Sequence, residues 1–303
     1  MKRIVITILL AGAIAIGGLF AYQNRHQIQQ DVLSVGVPEA VTFEEIGAED
    51  AGKVVAAEED RSNATDRTYE QEIAQEDTLV DAGDLLEDAS VGGKNPTPTS
   101  QNVQEDSGVP AVPVSINLAI PFTSQAPHSN WGLPYQEACE EASVLMAVSF
   151  FDNTLVDLSS ADSADKAILD IVALETEKYD LYLDTTVAET KRFAEAMFPD
   201  YSFNIVQDPT VDEIKSALAS GSPVIVPAAG RELGNPNFSG AGPLYHMLVV
   251  RGYTDSTFVT NDPGTRNGNG YVYKQTTIMN AMGDWNGGDP ANGAKVVIVV
   301  SKK

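Results

Sequence analysis

The chain has 303 residues, with 43 acidic against 19 basic side chains and a net charge of −24. So acidic a chain repels phosphate, which argues against nucleic acid as a partner, and repels anionic lipid head groups, so that any membrane attachment must be hydrophobic. One cysteine, Cys139, excludes an intramolecular disulfide and a thiolate zinc cluster, and three histidines (His26, His128, His246) leave little for a histidine metal site; neither a metal nor a cofactor is expected.

In chain order, Met1-Lys2-Arg3 precedes an apolar run from Ile4 to Tyr22. As a helix these residues would measure roughly 28 Å, the thickness of a bilayer's hydrocarbon core. The run is longer than a typical signal-peptide core, and Leu19-Phe20-Ala21 is a poor cleavage site, so residues 1–22 are expected to be a retained transmembrane anchor, with a secreted product as the alternative. Lys2 and Arg3 place the amino terminus in the cytoplasm and the remainder on the extracytoplasmic side. Residues 23–113 carry 20 acidic and 5 basic side chains, with Phe43 and Tyr69 the only aromatics. High charge and low hydrophobicity predict a disordered acidic linker, within which Val32 to Ile46 has pattern enough for a short strand or helix.

Residues 114–303 are patterned as one domain. Ile116 to Phe122 reads as an entry strand. Glu137 to Phe151 reads as a helix, with Cys139, Ala142, Met146 and Phe150 near helical spacing. Further helices are expected over Ser163–Tyr182, Val187–Met197 and Val211–Ala219. Strands follow at Pro223–Pro227, Leu244–Tyr253, Ser256–Thr260, Tyr271–Lys274 and Lys295–Val300. Helices followed by a run of strands predict an α+β fold with an antiparallel sheet.

Three residues in this domain suit nucleophilic chemistry together. Cys139 opens its helix, where the dipole favours a thiolate, although Glu137, Glu140 and Glu141 oppose ionisation unless they point away. His246 enters an apolar strand directly after a Gly-Pro loop. Asp262 ends the next strand, and a hairpin through Thr254-Asp255-Ser256 makes the two neighbours. Singly, each has a plain structural reading: a buried small hydrophobe, a core histidine, a turn acid before Pro-Gly. Jointly they supply a nucleophile, a base and an orienter.

The order Gln125, Cys139, His246, Asp262 resembles the papain-like cysteine peptidases, and most nearly the bacterial double-glycine (bacteriocin leader) peptidases and their stand-alone relatives. The segments that carry the resemblance are Ile120-Pro121-Phe122-Thr123-Ser124-Gln125, Cys139-Glu140-Glu141-Ala142-Ser143, Tyr245-His246-Met247-Leu248-Val249-Val250-Arg251-Gly252-Tyr253 and Asn261-Asp262-Pro263-Gly264-Thr265. The resemblance implies a papain-like fold, a peptide or protein substrate, Cys139 as nucleophile, His246 as base and acid, and Asp262 as orienter. It also implies that Gln125 donates its amide to the oxyanion with the Cys139 N–H. Gln136, three residues before Cys139, is a rival donor.

Beside these, His128, Trp131 and Tyr245 are candidates for lining a substrate cleft. Arg231 and Asn235-Pro236-Asn237-Phe238 lie in the loop before His246 and could gate it. The run Arg266-Asn267-Gly268-Asn269-Gly270 is like a calcium turn in composition only, because acidic ligands are missing, and Trp285 is assigned to packing. Three functions follow: a membrane-tethered extracytoplasmic cysteine peptidase, a cell-wall amidase or acyl transferase on the same fold, and an inactive peptide-binding module.

Overall fold

The apolar runs of the carboxy-terminal half assemble into one antiparallel sheet, seen in a computed structural model that describes residues 25–47, 112–180 and 183–303. Its strands are β1 (Ile116–Asn117), β2 (Tyr201–Gln207), β3 (Val224–Ala229), β4 (Tyr245–Tyr253), β5 (Thr257–Asn261), β6 (Asn269–Lys274) and β7 (Val296–Lys302). The order is β2-β7-β3-β4-β5-β6, and the short β1 pairs with the end of β4. Every residue of β3, β4 and β5 is buried, which is why β3 and most of β4 read as near-continuous apolar runs rather than alternating ones.

The helices are α1 (Arg25–Leu33), α2 (Phe43–Ile46), α3 (Cys139–Phe151), α4 (Ala161–Leu174), α5 (Val187–Met197), α6 (Val211–Ala219) and α7 (Gln275–Ala281). Helix α3 is buried along all thirteen residues and packs on β4, as a helix that is apolar nearly all round must. That burial takes Glu140 and Glu141 inside with it. Helices α5 and α6 follow their expected bounds residue for residue. Each begins with a capping box, Thr186 with Glu189 and Thr210 with Glu213. The helix expected over Ser163–Tyr182 starts earlier, at Ala161 under a Ser160 cap, and its last turn is a π-turn over Glu175–Tyr179. The chain thus adopts the expected α+β class; β2 and α7 are additions to the elements read from sequence.

The linker reading of residues 23–113 needs correction in its first third. Residues 25–47 fold against the domain. Val41 bridges to Leu118, Phe43 meets Phe150 and Phe151 edge-on at 5.9 and 5.0 Å, and Gln30 bonds both backbone groups of Val272. The physical reason is local. The spaced apolar side chains Val41, Phe43 and Ile46 find cover on the core, and average composition over ninety residues hides them. The rest of that linker, and the expected span from Ile4 to Tyr22, lie outside the described residues. Among the described residues no helix is long and apolar enough to cross a membrane.

Arg251 on β4 positions the entry strand. Its buried guanidinium donates to Asn117 Oδ1, Leu118 O, Asn261 Oδ1 and Asn269 Oδ1 at 2.8 to 3.3 Å, and burial lowers its pKa to about 10. The chain is thereby tied to β4 and β5 just ahead of Gln125.

Candidate active site

Cys139 is the first residue of α3, so its N–H has no intrahelical carbonyl to meet. The packing of α3 on β4 brings the sulfur to the start of that strand, where Sγ accepts the Met247 N–H at 3.3 Å. Met247 is the neighbour of His246. The thiol and the imidazole line one cleft, a cavity of about 710 Å³, although each is nearly sealed, at 4% and 1% exposed.

The histidine and the aspartate meet as the hairpin predicted. With β4 and β5 paired, His246 Nε2 lies 2.8 Å from Asp262 Oδ1, leaving Nδ1 as the ring nitrogen free of that contact. Asp262 is fully buried and fully bonded. Oδ1 also accepts the Gly264 N–H at 3.0 Å, while Oδ2 accepts from Asn235 Nδ2 at 3.0 Å and the Tyr273 hydroxyl at 2.7 Å. Burial alone would raise its pKa. The His246 charge and hydrogen bond, with the Tyr273 and Asn235 bonds, outweigh that and hold it below the usual carboxylate range. The ring itself is fixed on two further sides. Phe238 stands edge-on to it at 5.3 Å, and Gly264 comes so close that a methyl there would sit 2.8 Å from His246 Cε1. Tyr273, on β6, went unrecognised in the sequence; Asn235 was noticed only as a loop residue.

The glutamates beside the thiol do not all point away. Glu140 Oε2 accepts the Cys139 S–H at 2.9 Å, and Glu140 Oε1 accepts the Thr185 N–H at 2.9 Å. Burial first, then the Glu140 charge and hydrogen bond, push the thiol well above its ordinary pKa, against a smaller lowering by the Met247 N–H. These surroundings favour the thiol over the thiolate, against the helix dipole. Glu140 is itself pushed up, by burial and then by Glu141. Glu141 turns instead to Glu175 in the π-turn, and burial raises both carboxyls, Glu175 to about 8.

Gln125 lines the cleft, but its amide is engaged. Nε2 donates to the carbonyls of Tyr135 and Gln136, both at 2.9 Å, so that it holds the 3₁₀ turn Tyr135–Glu137 leading into Cys139; its Oε1 is buried without a partner among the described residues. Gln136 also lines the cleft, exposed, with its amide on Glu137 Oε1 at 2.9 Å. Trp131 and Tyr245 line it as expected. Tyr245 is anchored by its hydroxyl on Thr185 O at 3.0 Å and by Trp285, which packs at 5.5 Å.

His128 does not line the cleft. It borders a separate recess of about 190 Å³, and its Nε2 lies 3.1 Å from the exposed Asp162, an ion pair only when the imidazole is protonated. The polar loop around it turns outward toward α4, which sequence adjacency to Trp131 does not reveal. Asp184 lines the cleft and had no sequence signal; burial and the nearby Glu137 charge raise its pKa to about 6.

Residues 117–287 match the family model described as the Peptidase_C39 like family. No curated protein matches the chain. Among solved structures, a candidate C39-like peptidase from Bacillus anthracis is similar over 62% of this chain and 98% of its own, at 14% identity and a TM-score of 0.42.

Proposed function

Because the chain belongs to the Peptidase_C39 like family, we propose that it is a cysteine peptidase that cleaves peptide bonds with Cys139 as nucleophile, His246 as base and acid and Asp262 as orienter. One observation carries the reading: Cys139 Sγ sits on the N–H next to His246, in a cleft where Asp262 occupies the opposite ring nitrogen. Asp262 selects the tautomer that leaves Nδ1 as acceptor and stabilises the imidazolium once it forms.

Starting from the thiol that its surroundings favour, the proton passes to His246 Nδ1 as sulfur attacks the substrate carbonyl carbon. The carbonyl oxygen becomes an oxyanion. The C–N bond then breaks, the imidazolium gives its proton to the leaving amine, and a thioester remains on Cys139. Water, deprotonated by His246, attacks the thioester; the acid leaves and the proton returns to sulfur. The oxyanion is met by the unpaired Cys139 N–H and by Gln125. A charge-assisted bond is about twice as strong as a neutral one, so an amide hydrogen now on a turn carbonyl re-aims to the oxyanion as charge develops.

The test is labelling of Cys139 across pH. A peptidyl acyl electrophile is expected to label it near pH 7 and to lose that labelling in His246→Ala, while a small alkylating agent reacts slowly because Glu140 holds the S–H. Labelling by both reagents only above about pH 8.5, as for a free thiol, in wild type and His246→Ala alike, would remove the activated nucleophile and favour the binding module.

The same proposal carries the tether. Lys2-Arg3 and the apolar run to Tyr22 support a single span with the domain on the extracytoplasmic side. Protease added to intact cells should then shorten the chain on denaturing gels; a full-length chain protected until lysis would reverse the orientation.

A further inference from the structure

The cleft is electrically divided. Residues 112–303 contain four arginines. Arg251 is spent inside the sheet, and Arg192 lies over the Tyr179 ring at 4.4 Å. The other two, Arg231 and Arg266, both line the cleft, both are exposed, and among the described residues neither is paired with a carboxylate. In a domain with so many acids, two unpaired guanidiniums at one cavity are a local reversal of sign. They come from separate loops, after β3 and after β5, and Asn267 Nδ2 joins those loops by donating to Asn237 Oδ1 at 3.0 Å. Asn235, which accepts from Asn237, bonds Asp262, so the loops that bear the arginines are braced on the proposed orienter.

The helical side of the cleft carries the opposite sign. Glu137 and Asp184 line it with no basic partner among the described residues, and Asp184 is held up by burial and by Glu137. An anionic group is therefore repelled on the side of α3 and accepted on the side of the loops. Guanidinium forks match carboxylates in geometry as well as charge.

We propose that Arg231 and Arg266 form a carboxylate-recognition subsite, which selects peptide substrates bearing a carboxylate on the His246 side of the scissile bond. The proposal rests on the peptidase reading above and names the substrate class for that same site. The carboxylate has two sources, an Asp or Glu side chain or the substrate's own carboxy terminus.

Four peptides test it on the full chain: glutamate or glutamine beside the scissile bond, each with a free or an amidated carboxy terminus. Wild type is expected to prefer a carboxylate-bearing peptide by about tenfold in kcat/KM, mostly through KM, with the preference shrinking as salt rises. Loss of preference on amidation alone identifies the terminus; loss on Glu to Gln alone identifies the side chain. Arg231→Gln and Arg266→Gln should each reduce the preference, and Arg231→Glu with Arg266→Glu should invert it toward lysine-bearing peptides. Equal rates for all four peptides in wild type, or a preference that survives both glutamine variants, would overturn the subsite. Fluorescence titration of the same peptides against Cys139→Ala separates the two claims. Selective binding without cleavage by wild type keeps the subsite and sinks the peptidase, and unselective cleavage does the reverse.

Discussion

Cys139→Ala and His246→Ala are each expected to reduce peptide cleavage to background, a loss of a thousandfold or more, while Asp262→Ala leaves measurable turnover. The asymmetry follows from the roles. Cys139 is the one thiol of the chain and in the proposed mechanism His246 moves its proton, whereas an orienter can be partly replaced by water. Removing Asp262 also takes the acceptor from His246 Nε2, the Gly264 N–H and the Tyr273 hydroxyl, and leaves Asn235 Nδ2 with Tyr273 alone. That loss should therefore be accompanied by destabilisation that Cys139→Ala lacks, on the order of 1–3 kcal/mol per orphaned donor. In the same series Gln125→Ala should cost roughly a hundred- to a thousandfold in kcat and lower the melting temperature, since it removes the Gln136 carbonyl's side-chain donor and leaves the Tyr135 carbonyl only the long Ala138 N–H bond, while Gln136→Ala does neither. Steady-state kinetics with thermal unfolding of the same variants checks this. Full activity in Cys139→Ala sinks the mechanism, and a kcat loss confined to Gln136→Ala moves the oxyanion donor.

Stability is expected to fall as pH rises from 5 to 8.5. The buried carboxyls of Glu140, Glu141 and Glu175 have pKa values raised in the fold, first by burial; Glu175 reaches about 8, from 4.5. A raised pKa means the folded state binds protons that the unfolded chain releases, so the contribution is fully present below about pH 4.5 and disappears as pH passes the folded value. For Glu175 alone the difference is on the order of 3–5 kcal/mol, or about 10 °C in melting temperature for a domain of this size. Asp262, whose pKa is lowered, acts in the opposite sense and only in acid, as pH falls below the usual carboxylate range. Net negative charge also grows with pH, but self-repulsion is spread over the whole surface, so Glu175→Gln distinguishes the two by removing the Glu175 share of the slope. Calorimetry between pH 5 and 8.5 would sink the prediction if melting temperature rose, or if Glu175→Gln kept the wild-type slope.

What could be read from sequence was local. The His246–Asp262 contact is carried by a hairpin whose three connecting residues set the register, and two Thr-x-x-Glu boxes mark α5 and α6. Strand β2 went unread because it follows directly on Pro199-Asp200, and α7 is a single short run containing two threonines. The site's remaining features depend on contacts distant in sequence. Cys139 and Met247 are 108 positions apart, and nothing near Cys139 tells which glutamate will face the sulfur. Tyr273 looks like any strand tyrosine until β6 is laid beside Asp262. The division of charge in the cleft likewise arises only when residues near 137, 184, 231 and 266 are brought to one cavity.

The docking of residues 25–47 makes the chain's connectivity and its cohesion different things. Val41, Phe43 and Ile46 hold that segment to the core by packing and strand pairing, with no covalent need for the peptide bonds between residues 47 and 112. A nick anywhere in that interval would yield two fragments that migrate as one particle and part only in denaturant. The smaller fragment would remain as a non-covalent complement covering Phe150 and Phe151. Trimming the protein to residue 114 would instead uncover that aromatic patch at once.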